Sequence, residues 1–135
     1  MTLYLLDTNI CIHYLRQSNA LVMQRLLSKR PDELRLCPVV AAELYYGAYK
    51  SANPAANLGL LAQFLPAFVS LPFDDRAAEE YARIRVYLEA RGTPIGPYDM
   101  QIAAIALVHG VTLVTHNTQE FGRVPGLVLE DWEVP

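Results

Sequence analysis

Three acidic residues stand at positions where their carboxylates could act together. Asp7 directly follows a buried-looking apolar run at residues 3–6, and Glu43 lies inside the apolar stretch 39–44. Asp99 stands at the start of a long apolar segment. Converging carboxylates repel one another unless a cation joins them, and oxygen ligands without His or Cys suit Mg²⁺ or Mn²⁺. The residue types therefore predict a divalent-metal site.

Each acid also has a simpler structural explanation. Asp7 begins the turn Asp7-Thr8-Asn9, where any of the three residues could cap a following helix. Asp99 could complement the dipole of the helix that it opens. Glu43 is harder to explain, because an unpaired carboxylate in apolar surroundings is costly and the next Lys, Lys50, is seven positions away. For Asp7 and Asp99 the sequence leaves both explanations open.

The elements that would position these acids alternate between strands and helices. Apolar runs predict five strands, at residues 3–6, 34–37, 68–71, 111–114 and 127–129. Periodic segments between them predict helices at residues 10–17, 21–29, 39–50, 55–65, 75–91 and 100–109. This alternation is typical of right-handed βαβ crossovers, so we expect an α/β protein with a mainly parallel central sheet.

A parallel sheet gathers the carboxyl ends of its strands at one edge. The turns that hold Asp7 and Asn117 should therefore share that edge, and Glu43 can lean over it from the helix after the second strand. The position of Asp99 stays open, because its helix leads into a strand rather than out of one.

The bulk properties set broad limits. The 135 residues predict a single domain spanning 1–135, and no apolar run approaches the ~18 residues that a membrane span needs. We expect a cytoplasmic protein that does not contact membranes, with Cys11 and Cys37 as buried free thiols. The net charge of −3 argues mildly against nucleic acid, but three acids used as metal ligands would leave 11 acids against 11 bases. Charge therefore does not exclude an RNA substrate.

Four segments in series resemble those of the PIN domain and, within it, the VapC type of toxin–antitoxin ribonuclease. They are Leu6-Asp7-Thr8-Asn9, Ala42-Glu43-Leu44 with Gly47, Ile95-Gly96-Pro97-Tyr98-Asp99 with Ile102-Ala103-Ala104, and Leu113-Val114-Thr115-His116-Asn117 with Glu120-Phe121. The resemblance implies a three-layer α/β/α sandwich. It also implies that Asp7, Glu43 and Asp99 are the catalytic acids and the metal ligands.

The same resemblance gives supporting roles to other polar residues. Many members of this family carry a fourth acid where this chain has Asn117, and Glu120 could replace it or be a solvated surface residue. Thr8 and Thr115 could orient a carboxylate or a water, or could be turn caps. His116 could transfer a proton, although a metal can activate water without it.

Three tyrosines follow Glu43 closely and could also serve function. Tyr45, Tyr46 and Tyr49 could stack on bases or form a dimer interface, and we expect core packing to explain at least one of them.

The function implied by the resemblance is that of a Mg²⁺- or Mn²⁺-dependent endoribonuclease that cleaves structured RNA, such as a tRNA anticodon loop. Such a toxin has a cognate antitoxin that blocks its site, contacts operator DNA only through that antitoxin, and forms a homodimer. Asn117 keeps an alternative open, because it replaces an acid. The alternative is a catalytically weak or inactive PIN-like protein that binds RNA or a partner.

Overall fold

Five parallel strands form the centre of the computed structural model, which describes residues 1–135. The strands lie in the order β3-β2-β1-β4-β5, and all four neighbouring pairs are parallel. Their bounds are β1 (Tyr4–Leu6), β2 (Leu34–Leu36), β3 (Val69–Ser70), β4 (Thr112–Val114) and β5 (Leu129–Glu130).

Seven α-helices connect and cover the strands. They are α1 (Thr8–Arg16), α2 (Ala20–Leu27), α3 (Pro38–Lys50), α4 (Pro54–Phe64), α5 (Asp75–Ala90), α6 (Pro97–His109) and α7 (Thr118–Phe121), with 3₁₀ turns at Pro31–Glu33 and Leu65–Ala67. Proline starts α3, α4 and α6, where its missing N–H costs nothing. None of the helices combines the length and apolarity needed to cross a membrane.

The central strand β1 is buried on both faces. Tyr4, Leu5 and Leu6 are all buried, although successive side chains of a strand point to opposite faces. Helices must therefore cover both faces of the sheet, which confirms the predicted three-layer arrangement. Helix α6 packs against α5 and is buried along most of its length, with alanines at 103, 104 and 106 that allow close approach.

The strand order creates a crevice at the middle of the sheet. The chain runs from β1 outward through β2 to β3, then crosses back to place β4 and β5 on the other side of β1. The carboxyl ends of β1 and β4 therefore flank a topological switch point. Ligands of open parallel sheets bind at such points.

Two sequence predictions about local structure were wrong, and one helix was not predicted. Strand β5 is Leu129–Glu130 rather than 127–129, because Leu113 pairs with Leu129. Helix α7 was not predicted, since four residues are too short to show a period. Tyr45, Tyr46 and Tyr49 are all exposed, because the inward face of α3 is formed by Val40, Leu44 and Ala48 at helical spacing. The prediction that Cys11 and Cys37 are buried free thiols is confirmed.

Candidate active site

Asp7 lies at the carboxyl end of β1, beside the end of β4. Its backbone N–H donates to the Val114 carbonyl at 3.0 Å, which continues the β1–β4 ladder by one residue. Asp7 precedes α1 at the N-cap position, yet its side chain makes no capping hydrogen bond. Instead, the fully buried Thr115 hydroxyl donates to Asp7 Oδ2 at 2.6 Å. The carboxylate is therefore held toward β4, across the switch point.

Glu43 lies in the second turn of α3 and faces the start of α1. The Thr8 hydroxyl donates to Glu43 Oε1 at 2.8 Å. The Lys and Arg ion pairs of the chain lie elsewhere, on Asp32, Glu33, Glu79 and Glu89. An ion pair therefore does not explain a carboxylate at position 43. Thr8 thus donates a hydrogen bond to Glu43 in the same way that Thr115 donates one to Asp7.

Asp99 lies in the first turn of α6, at the same edge of the sheet. Burial, and to a smaller extent the negative charges of Asp7, Glu43 and Glu120, together raise the pKa of Asp99 to about 6. The pKa of Asp7 is also raised, mainly by burial and to a smaller extent by the charge of Glu43, against the lowering effect of the Thr115 hydrogen bond. The structure thus brings the three predicted acids, together with Glu120, within electrostatic range of one another.

Asn117 and Glu120 act as a pair beside this cluster. Asn117 Nδ2 donates to Glu120 Oε2 at 3.3 Å, and the Asn117 backbone N–H donates to Thr115 Oγ1 at 3.0 Å. The Asn117 side chain therefore orients the Glu120 carboxylate by a hydrogen bond. His116 points elsewhere, because its Nδ1 lies 2.9 Å from Oδ2 of Asp131 in the C-terminal segment and its side chain is exposed.

The donor set fits a hard divalent cation bound partly through water. The side chains of the cluster offer carboxylate, hydroxyl and amide oxygens, which suit Mg²⁺ or Mn²⁺ better than the N and S ligands that zinc prefers. No three Asp, Glu, His or Cys side chains are close enough to share one ion directly. Mg²⁺ is commonly held by one or two carboxylates while it keeps several waters, so this spacing is compatible with it.

A cavity of about 810 Å³ opens beside the acids. Thr8 and Glu43 form part of its wall, and Tyr46, Phe73 and Tyr98 supply aromatic rings. The sequence did not point to Phe73, Tyr98 or Gln101 as site residues. The only signal was the adjacency of Tyr98 to Asp99.

Asp99 should make the stability of the metal-free protein depend on pH. Because its pKa is raised from 3.8 to about 6 on folding, the folded protein keeps a proton between these values that the unfolded chain has lost. The free energy of unfolding should therefore fall as the pH rises through this window, by about 1–2 kcal/mol for a partly exposed group, and this contribution should stay constant above it. Urea unfolding in EDTA at stepped pH measures this slope.

The matched variants for this experiment are Asp99→Asn and Asp75→Asn. Asp75 is an exposed acid in the first turn of α5. It can therefore complement the dipole of its helix as Asp99 does, but it lies outside the cluster of carboxylates. Asp99→Asn should flatten the slope, leaving a remainder from Asp7, and should stabilise the metal-free protein above pH 6. If Asp99 only complemented a helix dipole, both variants would lower stability alike.

Comparison with known proteins identifies close relatives over almost the whole chain. The PIN domain profile matches residues 4–127. The chain is 36% identical over 132 residues to the tRNA(fMet)-specific endonuclease VapC of Salmonella typhimurium, covering 98% of this chain and 99% of that protein. It is 39% identical, at the same coverage, to the protein of that name from Shigella flexneri.

A solved structure extends the likeness to three dimensions. The DNA-bound VapBC complex of Salmonella typhimurium contains a chain that superposes with a TM-score of 0.87 at 36% identity. The match covers 98% of this chain and 99% of that one.

Proposed function

The chain belongs to the PIN-domain family and, within it, to the VapC-type ribonucleases, and from that premise we propose that it is a metal-dependent endoribonuclease acting as the toxin of a toxin–antitoxin pair. The family assignment made from the four sequence segments is confirmed. One observation carries the proposed activity. Asp7, Glu43 and Asp99 lie within electrostatic range of one another with no Lys or Arg ion pair, and threonine hydroxyls donate to two of them.

In the proposed mechanism Asp7, Glu43 and Asp99 would hold Mg²⁺ or Mn²⁺ beside the scissile phosphate, partly through the waters that the ion keeps. The ion supplies Lewis-acid stabilisation of phosphate charge and lowers the pKa of water for in-line attack. Thr115 and Thr8 each bind one oxygen of their carboxylate, which orients the second oxygen of Asp7 and of Glu43 for ligand binding. This fixed geometry reduces the reorganisation needed when the phosphate arrives.

Glu120, rather than Asn117, is proposed to take the place of the fourth acid. The negative charge of Glu120 raises the pKa of Asp99, and the Asn117 amide donates a hydrogen bond to the Glu120 carboxylate. This arrangement supplies an acid near the position where the chain has an amide, which weakens the case for an inactive protein.

The substrate and partners follow from the relatives. Because two close relatives are named as tRNA(fMet)-specific endonucleases, we propose a tRNA as the RNA substrate. The family resemblance implies that the cut falls in the anticodon loop. By analogy with the DNA-bound VapBC complex, a cognate antitoxin carries the contact to DNA. The family resemblance further implies a homodimeric toxin whose site the antitoxin covers. A second groove, of about 150 Å³, is lined by leucines together with Arg16, Glu43, Ser51 and Asn57, and it suits an antitoxin segment that carries both apolar and polar side chains.

Incubation of end-labelled total tRNA with the protein tests this function. Discrete fragments should form with Mg²⁺ or Mn²⁺ and should disappear when EDTA removes the metal. A gel resolves the fragments, and a mobility-shift assay on the same samples reports binding. RNA that is bound but not cut under every condition would support the inactive RNA-binding protein instead.

A further inference from the structure

The wall of the 810 Å³ cavity combines aromatic rings and two amide side chains with the apolar residues Ile12, Pro38, Val39 and Ala42. Tyr46 comes from α3, Phe73 from the segment after β3, and Tyr98 from the first turn of α6. Asn9 and Gln101 also line the cavity. Because Thr8 and Glu43 belong to the same wall, whatever fills the cavity lies next to the acids.

Core packing does not explain the two tyrosines. Tyr46 is 65% exposed and Tyr98 is 60% exposed. Lys50, whose ammonium lies 5.6 Å from the centroid of the Tyr46 ring, leaves most of that ring open to solvent. One face of Tyr46 therefore lies under the Lys50 ammonium, while the rest of that ring and the exposed ring of Tyr98 can contact a ligand.

The acidic charge of the protein favours RNA contacts made by aromatic rings over contacts made by basic side chains. The chain carries 11 basic residues against 14 acidic ones, and four of the acids cluster at the candidate active site. Phosphate contacts that drive nucleic-acid affinity depend on Lys and Arg, and here they are opposed by local negative charge. Stacking of bases on aromatic rings does not depend on that charge.

We propose that this cavity binds an unpaired RNA base next to the scissile phosphate, a role that rests on the proposed ribonuclease function. Tyr46 and Tyr98 stack on the base, and the amides of Asn9 and Gln101 can donate to and accept from its edge. Bases inside a duplex are already stacked and paired, so the cavity selects single-stranded loops. Tyr46 and Tyr98 are thus substrate-binding residues of the site.

The chemistry of the two grooves favours RNA over protein as the occupant of this one. The smaller groove between α1, α3 and α4 mixes leucines with charged and polar side chains and has no aromatic ring on which a base could stack. The larger cavity instead combines aromatic faces with amides, the groups that recognise bases.

Binding of a short single-stranded RNA with 2-aminopurine at its centre tests the proposal. The fluorescence of 2-aminopurine is quenched on stacking, and titration in the presence of Mg²⁺ at low temperature gives Kd. Wild-type protein should quench the single strand but not the same strand in a duplex. Tyr46→Ala and Tyr98→Ala should each weaken binding about tenfold or more, whereas Tyr46→Phe and Tyr98→Phe, which keep the ring, should stay within about twofold of wild type.

Tyr49→Ala is the matched control. Tyr49 lies on α3 with Tyr46 and is 68% exposed, but it does not line the cavity. It should bind like wild type. Equal losses in Tyr49→Ala and the cavity variants, or no loss in either cavity variant, would overturn the proposal and assign this face to a protein partner. Because the tyrosines come from two different helices, a folding defect in one variant leaves the other as the test.

The experiments can distinguish a failure of the proposed base-binding cavity from a failure of the proposed ribonuclease activity. Quenching that depends on Tyr46 and Tyr98 without any cleavage of tRNA would keep the base site and remove the enzymatic activity. Cleavage of tRNA with KM unchanged in both alanine variants would keep the enzyme and overturn the base site. A wild-type protein that quenches no fluorescence overturns the base site whether or not it cuts.

Discussion

Asp7→Asn, Glu43→Gln and Asp99→Asn should each lower the rate of RNA cleavage by at least about 100-fold while leaving the fold intact. An amide keeps the size of the carboxylate but removes the charge that holds a divalent cation. Single-turnover cleavage of labelled tRNA in Mg²⁺ measures the loss. Thermal melting in EDTA verifies that each variant is folded.

Glu79→Gln is the control for these substitutions. Glu79 is an exposed acid of α5 whose oxygen lies 2.8 Å from the Arg83 guanidinium, and surface pairs of this kind contribute little to stability. This variant should cut at the wild-type rate. Any of the three site variants that retains more than about a tenth of that rate would remove its residue from the catalytic site.

The chemical groups at the ends of the RNA fragments should show whether water or the 2′-hydroxyl of the RNA is the nucleophile. Hydrolysis by water leaves a 5′-phosphate and a 3′-hydroxyl, and EDTA should abolish it. Attack by the 2′-hydroxyl of the RNA would leave a 2′,3′-cyclic phosphate without any need for metal. Treatment of the fragments with a phosphatase and a 5′-end ligation assay distinguish the two kinds of end.

A cyclic product that EDTA does not diminish would overturn the metal mechanism and make His116 an acid–base candidate. The structure gives no support for that outcome, because His116 contacts Asp131 rather than Asp7, Glu43 or Asp99. His116→Ala should therefore cut tRNA nearly as well as wild type.

The sequence was sufficient to place Asp7 and Glu43, since an acid after a buried strand and an acid within an apolar helix are both unusual. The position of Asp99 was left open although a physical reason for it exists. Helix α6 runs into β4, and β4 begins at the amino edge of the sheet. A crossover helix runs antiparallel to its strands, so α6 must start at the carboxyl edge, beside Asp7.

The hydrogen bonds that orient the acids could not be derived from the sequence. The Thr115–Asp7 contact joins residues 108 positions apart and exists only because β4 is the neighbour of β1. Periodicity identifies strands but does not give their order in a sheet. The aromatic cavity was missed for the same reason, because its rings come from three separate parts of the chain.

The position of β1 between β2 and β4 has a consequence for biosynthesis. A ribosome delivers β1 and β2 early, but β4, Thr115 and Glu120 come from the last quarter of the chain. Until then one edge of β1 lacks its partner strand, and Asp7 lacks the hydroxyl that orients it. We therefore expect the nascent chain to have no ribonuclease activity before β4 and Thr115 have been synthesised. A chain truncated by a premature stop codon should be inert, and its open apolar edge should make it a substrate for cellular proteases.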